Sequence, residues 1–268
     1  MTDDAVTRWD RVAEGYDELT SEMMRPFAER ALTVAGVGGR ARIVDVATGP
    51  GVLALLAAPR VREVCAVDVS EAMILRLRRA IMRGGIGNVL TGVGDGQRLR
   101  YPSGTFDAAF SMFGVMFFPD RAQGFSELCR VLRPGGMAVV SSWAPIAQSP
   151  LMTLLFEAFQ HGIPGFAAPQ PNTASLENPQ VFEREMSAAG FTDVQVRAHA
   201  ESFAYDSAEE LWDKLTRGSA PLQATREATD PAVWKVQEQN MIEFLSERYV
   251  PGTPLSTTAW LGTGRAPV

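Results

Sequence analysis

The sequence predicts an α/β protein built on a doubly wound, mostly parallel sheet of seven strands with helical lid insertions. Between residues 42 and 143, short β-branched runs alternate with helical patterns. Three of these runs are almost continuously apolar, as strands buried on both faces of a parallel sheet are. A tight turn, Gly49-Pro50-Gly51, comes directly after the first run. Strands that alternate with helices form βαβ units, so a Rossmann-like core follows.

The first five strands and the helices between them follow from the hydrophobic period. Strands are predicted at 42–47, 63–69, 88–94, 106–112 and 137–143, and helices at about 51–58, 70–83 and 120–132. The last of these helices has a suitable N-cap in Asp120, and Pro134-Gly135-Gly136 stops it and turns the chain into the fifth strand.

Beyond residue 144 the pattern becomes mainly helical. Helices are predicted near 150–160, from Asn178-Pro179 to Gly190, after the capping box of Ser207 and Glu210, and after Asp230-Pro231. Strand-like runs at 192–204 and 257–264 complete the seven strands. We interpret residues 1–268 as one domain. It consists of N-terminal lid helices at 1–40, a nucleoside-binding core at 41–145, helical insertions at 146–190 and 206–256 that would surround a second ligand, and a last strand at 257–268.

Composition excludes several classes of function. The chain has 25 basic and 31 acidic residues and a net charge of −6, which argues against a nucleic-acid partner. No apolar run approaches the roughly 18 residues of a membrane-spanning helix. The N-terminus lacks the apolar region of a signal peptide. Cys65 and Cys129 fall in apolar segments and are expected to be free thiols. We therefore expect a cytoplasmic protein without a membrane span.

The glycine-rich turn and two acidic residues point to a nucleoside. Backbone N–H groups of such a turn can approach a ligand closely, with a helix N-terminus behind them. Asp68 ends the second strand, where an acid can accept hydrogen bonds from both hydroxyls of a ribose. Asp95 ends the third strand between two glycines. Because the carboxyl ends of parallel strands share one edge of the sheet, these groups are predicted to form one site.

The turn suits a nucleoside without a pyrophosphate. Counted from position 47, the dinucleotide fingerprint G-x-G-x-x-G would need glycine at positions 47 and 52, where this chain has Ala47 and Val52. The sequence also lacks a Tyr-x-x-x-Lys pair suited to hydride chemistry. An NAD(P)-dependent oxidoreductase is therefore the second hypothesis.

Several segments resemble the class I S-adenosylmethionine (SAM)-dependent methyltransferases, in particular the small-molecule branch that includes the ubiquinone/menaquinone-type enzymes. The resemblance runs from about residue 9 to 143. Ala47 replaces the first glycine of the family's first motif. The matching segments are VDVATGPG, VDVSEAM, GDGQRLRYPSGTFD, FGVMFFPD followed by LCRVLRPGG, and an N-terminal WDRVAEGYD like the helix that folds over SAM.

The resemblance implies SAM as cofactor, S-adenosylhomocysteine (SAH) as product, and a role for each matching residue. Two groups of residues would hold the methionine end and the adenosine end of SAM. By this likeness Asp45 would lie near the amino-acid moiety, Ala47 and Gly49 against the methionine part, Asp68 at the ribose, Val69 and Met73 on the adenine, Asp95 with Gly96 at its amino group, Ser111 and Met112 beside the sulfonium, and Tyr16 in the lid.

Methyl transfer from a sulfonium is an in-line displacement that needs alignment and a dry site more than a base. His161, in the insertion after the fifth strand, is the candidate base, and His199 is interpreted as structural. The sequence has no acidic cluster typical of a Mg²⁺ site, so we expect no metal. The candidate acceptor wall is apolar and comprises Phe113, Met116, Phe117 and Phe159.

An apolar wall favours a phenol, quinone or polyketide-like acceptor, with oxygen as the expected methyl-accepting atom. A SAM-fold protein that binds without turnover is the third hypothesis. An apolar lid helix can also pair with a second subunit, so a homodimer is an open alternative.

Overall fold

Seven strands form one sheet in the computed structural model, which describes residues 19–217 and 220–268. Their order is β3-β2-β1-β4-β5-β7-β6; the first five are parallel, and β7 runs antiparallel to both of its neighbours. The strands are β1 Arg42–Val46, β2 Glu63–Asp68, β3 Val89–Val93, β4 Phe106–Ser111, β5 Leu132–Trp143, β6 Thr192–Phe203 and β7 Leu255–Arg265. The predicted mostly parallel, doubly wound sheet is confirmed.

Helices cover the sheet and extend beyond it. They are α1 Leu19–Ala35, α2 Val52–Ala57, α3 Glu71–Gly84, α4 Arg121–Val131, α5 Pro150–Gly162, α6 Pro179–Ala188, α7 Ala208–Arg217, α8 Ala220–Ala228 and α9 Pro231–Arg248. Short 3-10 turns lie at Ala58–Arg60, Val115–Phe117 and Ile146–Gln148. Among the helices that the structure describes, none is long and apolar enough to cross a membrane.

Apolar residues recur about every second position on the strands and every 3.6 positions on the helices, and they form an apolar layer on each face of the sheet. On one face, α4 and α6 bury Phe125, Leu128 and Phe182. On the other face, α1 to α3 bury residues such as Leu53 and Leu77. A third apolar cluster joins α5, α7 and α9 around Trp212, Met241 and Leu245.

Local sequence signals set several element ends as predicted. The Asp120 carboxylate accepts the N–H of Gln123 at the start of α4, and the Ser207 hydroxyl accepts that of Glu210 at the start of α7. The predicted start of the fifth strand is wrong. Residues 133–136 belong to β5 as an irregularity, with φ +73° at Gly135 and a register shift between Phe106 and Ala108. Strand pairing continues through a segment whose composition is typical of a turn.

Candidate functional site

The turn after β1 has an unusual backbone, because three of its residues lie in the left-handed region. Ala47, Gly49 and Gly51 all adopt positive φ, at 56°, 56° and 92°. A Cβ on Gly51 would lie 2.2 Å from Cδ1 of Leu77 in α3. Glycine at position 51 therefore permits both the turn and the close packing of α2 against α3.

Asp45, near the end of β1, is almost completely buried, with 1% of its surface exposed. The Thr48 hydroxyl donates to its carboxylate at 2.5 Å. The pKa of Asp45 is raised from 3.8 to about 7, mainly because burial disfavours the charged form; the Thr48 hydrogen bond lowers the pKa and the charge of Asp68 raises it. Ionised Asp45 is therefore destabilised by its burial, and a nearby cation would stabilise the ionised form.

Asp68, the last residue of β2, ties the turn to the neighbouring strand. Its carboxylate accepts the N–H of Gly49 at 2.8 Å and that of Ser70 at 2.9 Å. Asp68 also lines the cleft above the turn. Its carboxylate therefore holds the backbone of the turn in place, and it is also accessible to a ligand in the cleft.

Asp95 follows β3 at the same edge of the sheet. Its carboxylate accepts hydrogen bonds from the backbone and side chain of Gln97, both at 2.9 Å. The Gln97 side-chain oxygen in turn accepts the N–H of Asp120, which links this loop to the start of α4. Gly96 packs tightly, because a Cβ there would lie 2.5 Å from Cζ of Phe118. Asp95 and Gly96 lie beside the cleft but are not among the residues that line it.

The cleft has two halves that meet at four shared residues. The Asp68 half, about 550 Å³ including its opening, contains Asp68 together with apolar residues that follow β2 and β4. The Asp45 half, about 450 Å³, contains Asp45 and is closed by α1. The residues that line both halves are Ala47, Gly49, Met112 and Phe113.

Seven further predicted residues occupy different places. Val69, Met73 and Phe117 line the Asp68 half. Ser111 is fully buried, and its hydroxyl has no hydrogen-bond partner among the described residues. Met116 packs in the core and accepts a weak hydrogen bond from Ser142. Phe159 packs in the α5–α7–α9 cluster, 6.0 Å from Trp212 between ring centroids, and Tyr16 lies outside the described residues.

The structure places the two histidines very differently. His161 is exposed at the end of α5, where its ring lies 4.9 Å from that of Phe244 in α9, and it is not among the residues that line the cleft. His199, interpreted as structural, lies 5.7 Å from the ring of Phe27 and 2.6 Å from a carboxylate oxygen of Glu201. Since Phe27 packs against Phe113, His199 belongs to the surroundings of the cleft.

Eight residues that line the cleft are not among the predicted site residues, namely Met24, Ala28, Thr48, Pro50, Val52, Leu53, Gly114 and Phe118. Thr48 lies in the VDVATGPG segment and Gly114 in FGVMFFPD, so their positions beside Asp45 and Phe113 could have indicated them. Phe118 belongs to the quoted FGVMFFPD segment. Met24 comes from α1 and lines the Asp45 half.

The residues present fit SAM, a cation with an adenosyl end and an amino-acid end. An acid lies in each half of the cleft, and a carboxylate can accept hydrogen bonds from ribose hydroxyls or from an ammonium group. A Cβ at Gly114 would lie 2.5 Å from Cβ of Ala47, so the cradle depends on small residues. Among the described residues, no group of three His, Cys, Asp or Glu side chains is arranged to bind a metal.

Ala47→Gly is expected to stabilise the protein by about 1 kcal/mol, because positive φ costs an L-residue roughly 1–2 kcal/mol that glycine avoids. Urea unfolding of both proteins measures this difference. Ala54→Gly, the same substitution inside α2, is the matched control and is expected to destabilise by about 1 kcal/mol. A loss of stability in both variants would contradict the strain assigned to Ala47.

Comparisons with known proteins agree with this site. Residues 43–136 match the family model described as a methyltransferase domain. The nocamycin O-methyltransferase of Saccharothrix syringae is 28% identical over 201 residues, which cover 70% of this chain and 72% of that protein. The ubiquinone/menaquinone biosynthesis C-methyltransferase of Hydrogenovibrio crunogenus is 29% identical over 163 residues, covering 58% of this chain and 64% of that protein.

A solved structure extends the likeness to the fold. The YcgJ protein from Bacillus subtilis is similar with a TM-score of 0.58 and 19% sequence identity, covering 90% of this chain and 98% of that one. At this identity the similarity concerns the fold alone. The family match covers β1 to the start of β5, the part of the chain that contains the turn and all three acids.

Proposed function

Because the chain belongs to the SAM-dependent methyltransferases, we propose that it methylates a small, largely apolar acceptor at oxygen. The acceptor classes are those of the sequence prediction, namely phenols, quinones and polyketide-like compounds. The observation that carries this proposal is the composition of the two-part cleft. It has one acid in each half and only uncharged residues where the halves meet.

Bound SAM supplies an activated methyl group, since its sulfur leaves as a neutral thioether with the electron pair of the broken S–C bond. The chain's residues position both partners. Asp68 would accept from the ribose hydroxyls, and Val69 and Met73 would pack on the adenine. Asp45 would balance the amino group, assisted by Thr48. Gly49 leaves room for backbone to approach the ligand.

The acceptor would meet an aromatic wall. Phe113 lines both halves, and its ring stacks on Trp143 with centroids 4.1 Å apart. Phe27 packs edge-on against both rings, at 5.5 and 5.8 Å. Such a wall excludes water and favours an apolar acceptor. Phe159 packs in the α5–α7–α9 cluster. Met116 packs against the cluster of Phe27 and Phe113 but is not among the residues that line the cleft, so we assign the wall to Phe113 and its two aromatic neighbours.

Oxygen as the accepting atom is supported by the name of one relative, the nocamycin O-methyltransferase. An acceptor hydroxyl with a high pKa must lose its proton during transfer. His199, with Glu201 as hydrogen-bond partner, contacts Phe27, which packs against Phe113, whereas His161 contacts Phe244 in α9. We therefore propose His199 as the imidazole to examine first for this role.

The first experiment is calorimetric titration of the full chain with SAM, SAH and NADH in parallel. Micromolar binding of SAM and SAH without NADH supports the proposed cofactor site, and binding of NADH alone overturns it. A panel of phenols and quinones is then incubated with SAM labelled in its methyl group. Label recovered in an acceptor ether supports the proposal, whereas label on carbon or nitrogen contradicts oxygen specificity. Saturable SAM binding with no transfer across the panel favours the non-catalytic hypothesis.

A further inference from the structure

Phe113 occupies the junction of the two halves of the cleft, immediately after β4. With Ala47, Gly49 and Met112 it lines both halves, and none of these four residues carries a formal charge. Asp45 and Asp68 each line one half only. Any positive charge bound at the junction therefore meets an aromatic ring and a thioether rather than a carboxylate.

The backbone of Phe113 is held in a conformation that a bulky residue rarely adopts, with φ +56°. Ser141 in β5 accepts the Phe113 N–H at 2.9 Å. Trp143, two residues further along β5, stacks on the ring at an interplanar angle of 25°. Because residues two apart in a strand share a face, one surface of β5 fixes both the backbone and the ring of Phe113. Strain maintained in this way is typical of ligand-binding sites.

SAM carries its sulfonium between the adenosyl and amino-acid ends, which is the part that would meet the junction. SAH has the same two ends and a neutral sulfur. An aromatic face attracts a cation, and the attraction is larger when the ring is shielded from water, as Phe113 is with 7% of its surface exposed. We propose that Phe113, positioned by Ser141 and Trp143, recognises the sulfonium charge and makes the site prefer SAM to SAH.

This inference rests on the proposed function. It adds a reason why SAM would replace the product SAH in the site after methyl transfer. Both ends of the ligand contribute equally to the affinity of substrate and product. Discrimination must come from the centre, where Phe113 lies. The ratio of the SAH and SAM dissociation constants therefore isolates the contribution of the ring, and it is measured by binding alone.

The test is calorimetry of SAM and SAH with Phe113→Leu, which keeps an apolar side chain and the same backbone strain. We expect SAM affinity to fall about tenfold and SAH affinity to change by about twofold or less. Phe117→Leu is the matched control, because Phe117 lines the Asp68 half only. It is expected to change both affinities by the same factor. Equal losses for SAM and SAH in Phe113→Leu would overturn the inference.

A second measurement avoids any defect in folding. Fluorinated phenylalanines incorporated at position 113 keep the shape of the ring while withdrawing its electron density. We expect the preference for SAM to decrease stepwise with the number of fluorines, and to remain constant when the same series is placed at position 117. A constant preference in the series at 113 overturns the role of Phe113 but leaves the cofactor site intact. Failure of the unmodified protein to bind either SAM or SAH overturns the proposed function itself.

Discussion

Asp45→Asn is expected to stabilise the free protein at pH 8 while weakening its binding of SAM. Burial, with a smaller contribution from the charge of Asp68, outweighs the Thr48 hydrogen bond and raises the pKa of Asp45 from 3.8 to about 7. For an acid whose pKa is higher in the folded state, the folded protein disfavours the charged form. The cost is absent below about pH 4 and fully present above pH 7, where it reaches roughly 4 kcal/mol. Asparagine avoids this cost and can still accept the Thr48 hydrogen bond.

Urea unfolding at pH 8 and at pH 5 measures the effect. The variant should be more stable than the parent at pH 8, and this difference should shrink as the pH falls. Asp107→Asn is the matched control, because the Asp107 carboxylate accepts the N–H of Arg42 and pairs with the Arg133 side chain at 2.6 Å. That change is expected to lower stability at pH 8. An equal gain for Asp45→Asn at both pH values would contradict the raised pKa.

The same carboxylate should make SAM binding depend on pH. On the proposed assignment, ionised Asp45 balances the ammonium group of SAM, so the affinity of the parent protein should fall about tenfold per pH unit below pH 7. Asp45→Asn should bind more weakly at pH 8, by about tenfold or more, and show little change between pH 8 and pH 6. Calorimetry across this range checks both statements. Stability and ligand binding thus make opposite demands on one buried acid.

The fold was predictable because its signals are local and repeated. Each of the seven strands was placed within a few residues except β5, whose first five residues were interpreted as a turn because of Pro134-Gly135-Gly136. Helix α8, at Ala220–Ala228, was not predicted. Both errors concern segments where tertiary pairing or packing decides between conformations that the local sequence allows.

The candidate site was predictable to the extent that it consists of backbone turns and strand ends. Asp45, Asp68 and the turn were found because a sheet edge fixes their relative positions. The aromatic wall was only partly found, since Phe27 reaches it from a helix far away in the sequence. For the same reason the sequence did not show that Phe159 and His161 lie outside the lining of the cleft. The sequence predicted helix α5 but did not show that α7 and α9 would be the helices it contacts.

Asp68→Ala is expected to weaken the binding of both SAM and SAH by about 100-fold or more. A ribose would lose two hydrogen bonds to a charged group, each contributing about 1.5–3 kcal/mol. The variant also leaves the N–H groups of Gly49 and Ser70 without the acceptor that now holds them, so a loss of stability is expected as well. Calorimetry gives the affinities, and thermal unfolding shows that the variant is folded at the temperature of the titration.

Ser70→Ala separates the two effects of Asp68→Ala. The Ser70 hydroxyl caps α3 by accepting the N–H of Met73 at 3.1 Å, and its loss costs about 1 kcal/mol. Ser70 is fully buried and is not among the residues that line the cleft. SAM affinity of this control should therefore stay within about threefold of the parent. If Ser70→Ala weakens SAM binding as much as Asp68→Ala does, the stability of the turn, and not the ribose contact, accounts for the loss. If Asp68→Ala binds SAM like the parent, Asp68 does not hold the ribose, and the orientation of the ligand in the cleft must be reversed.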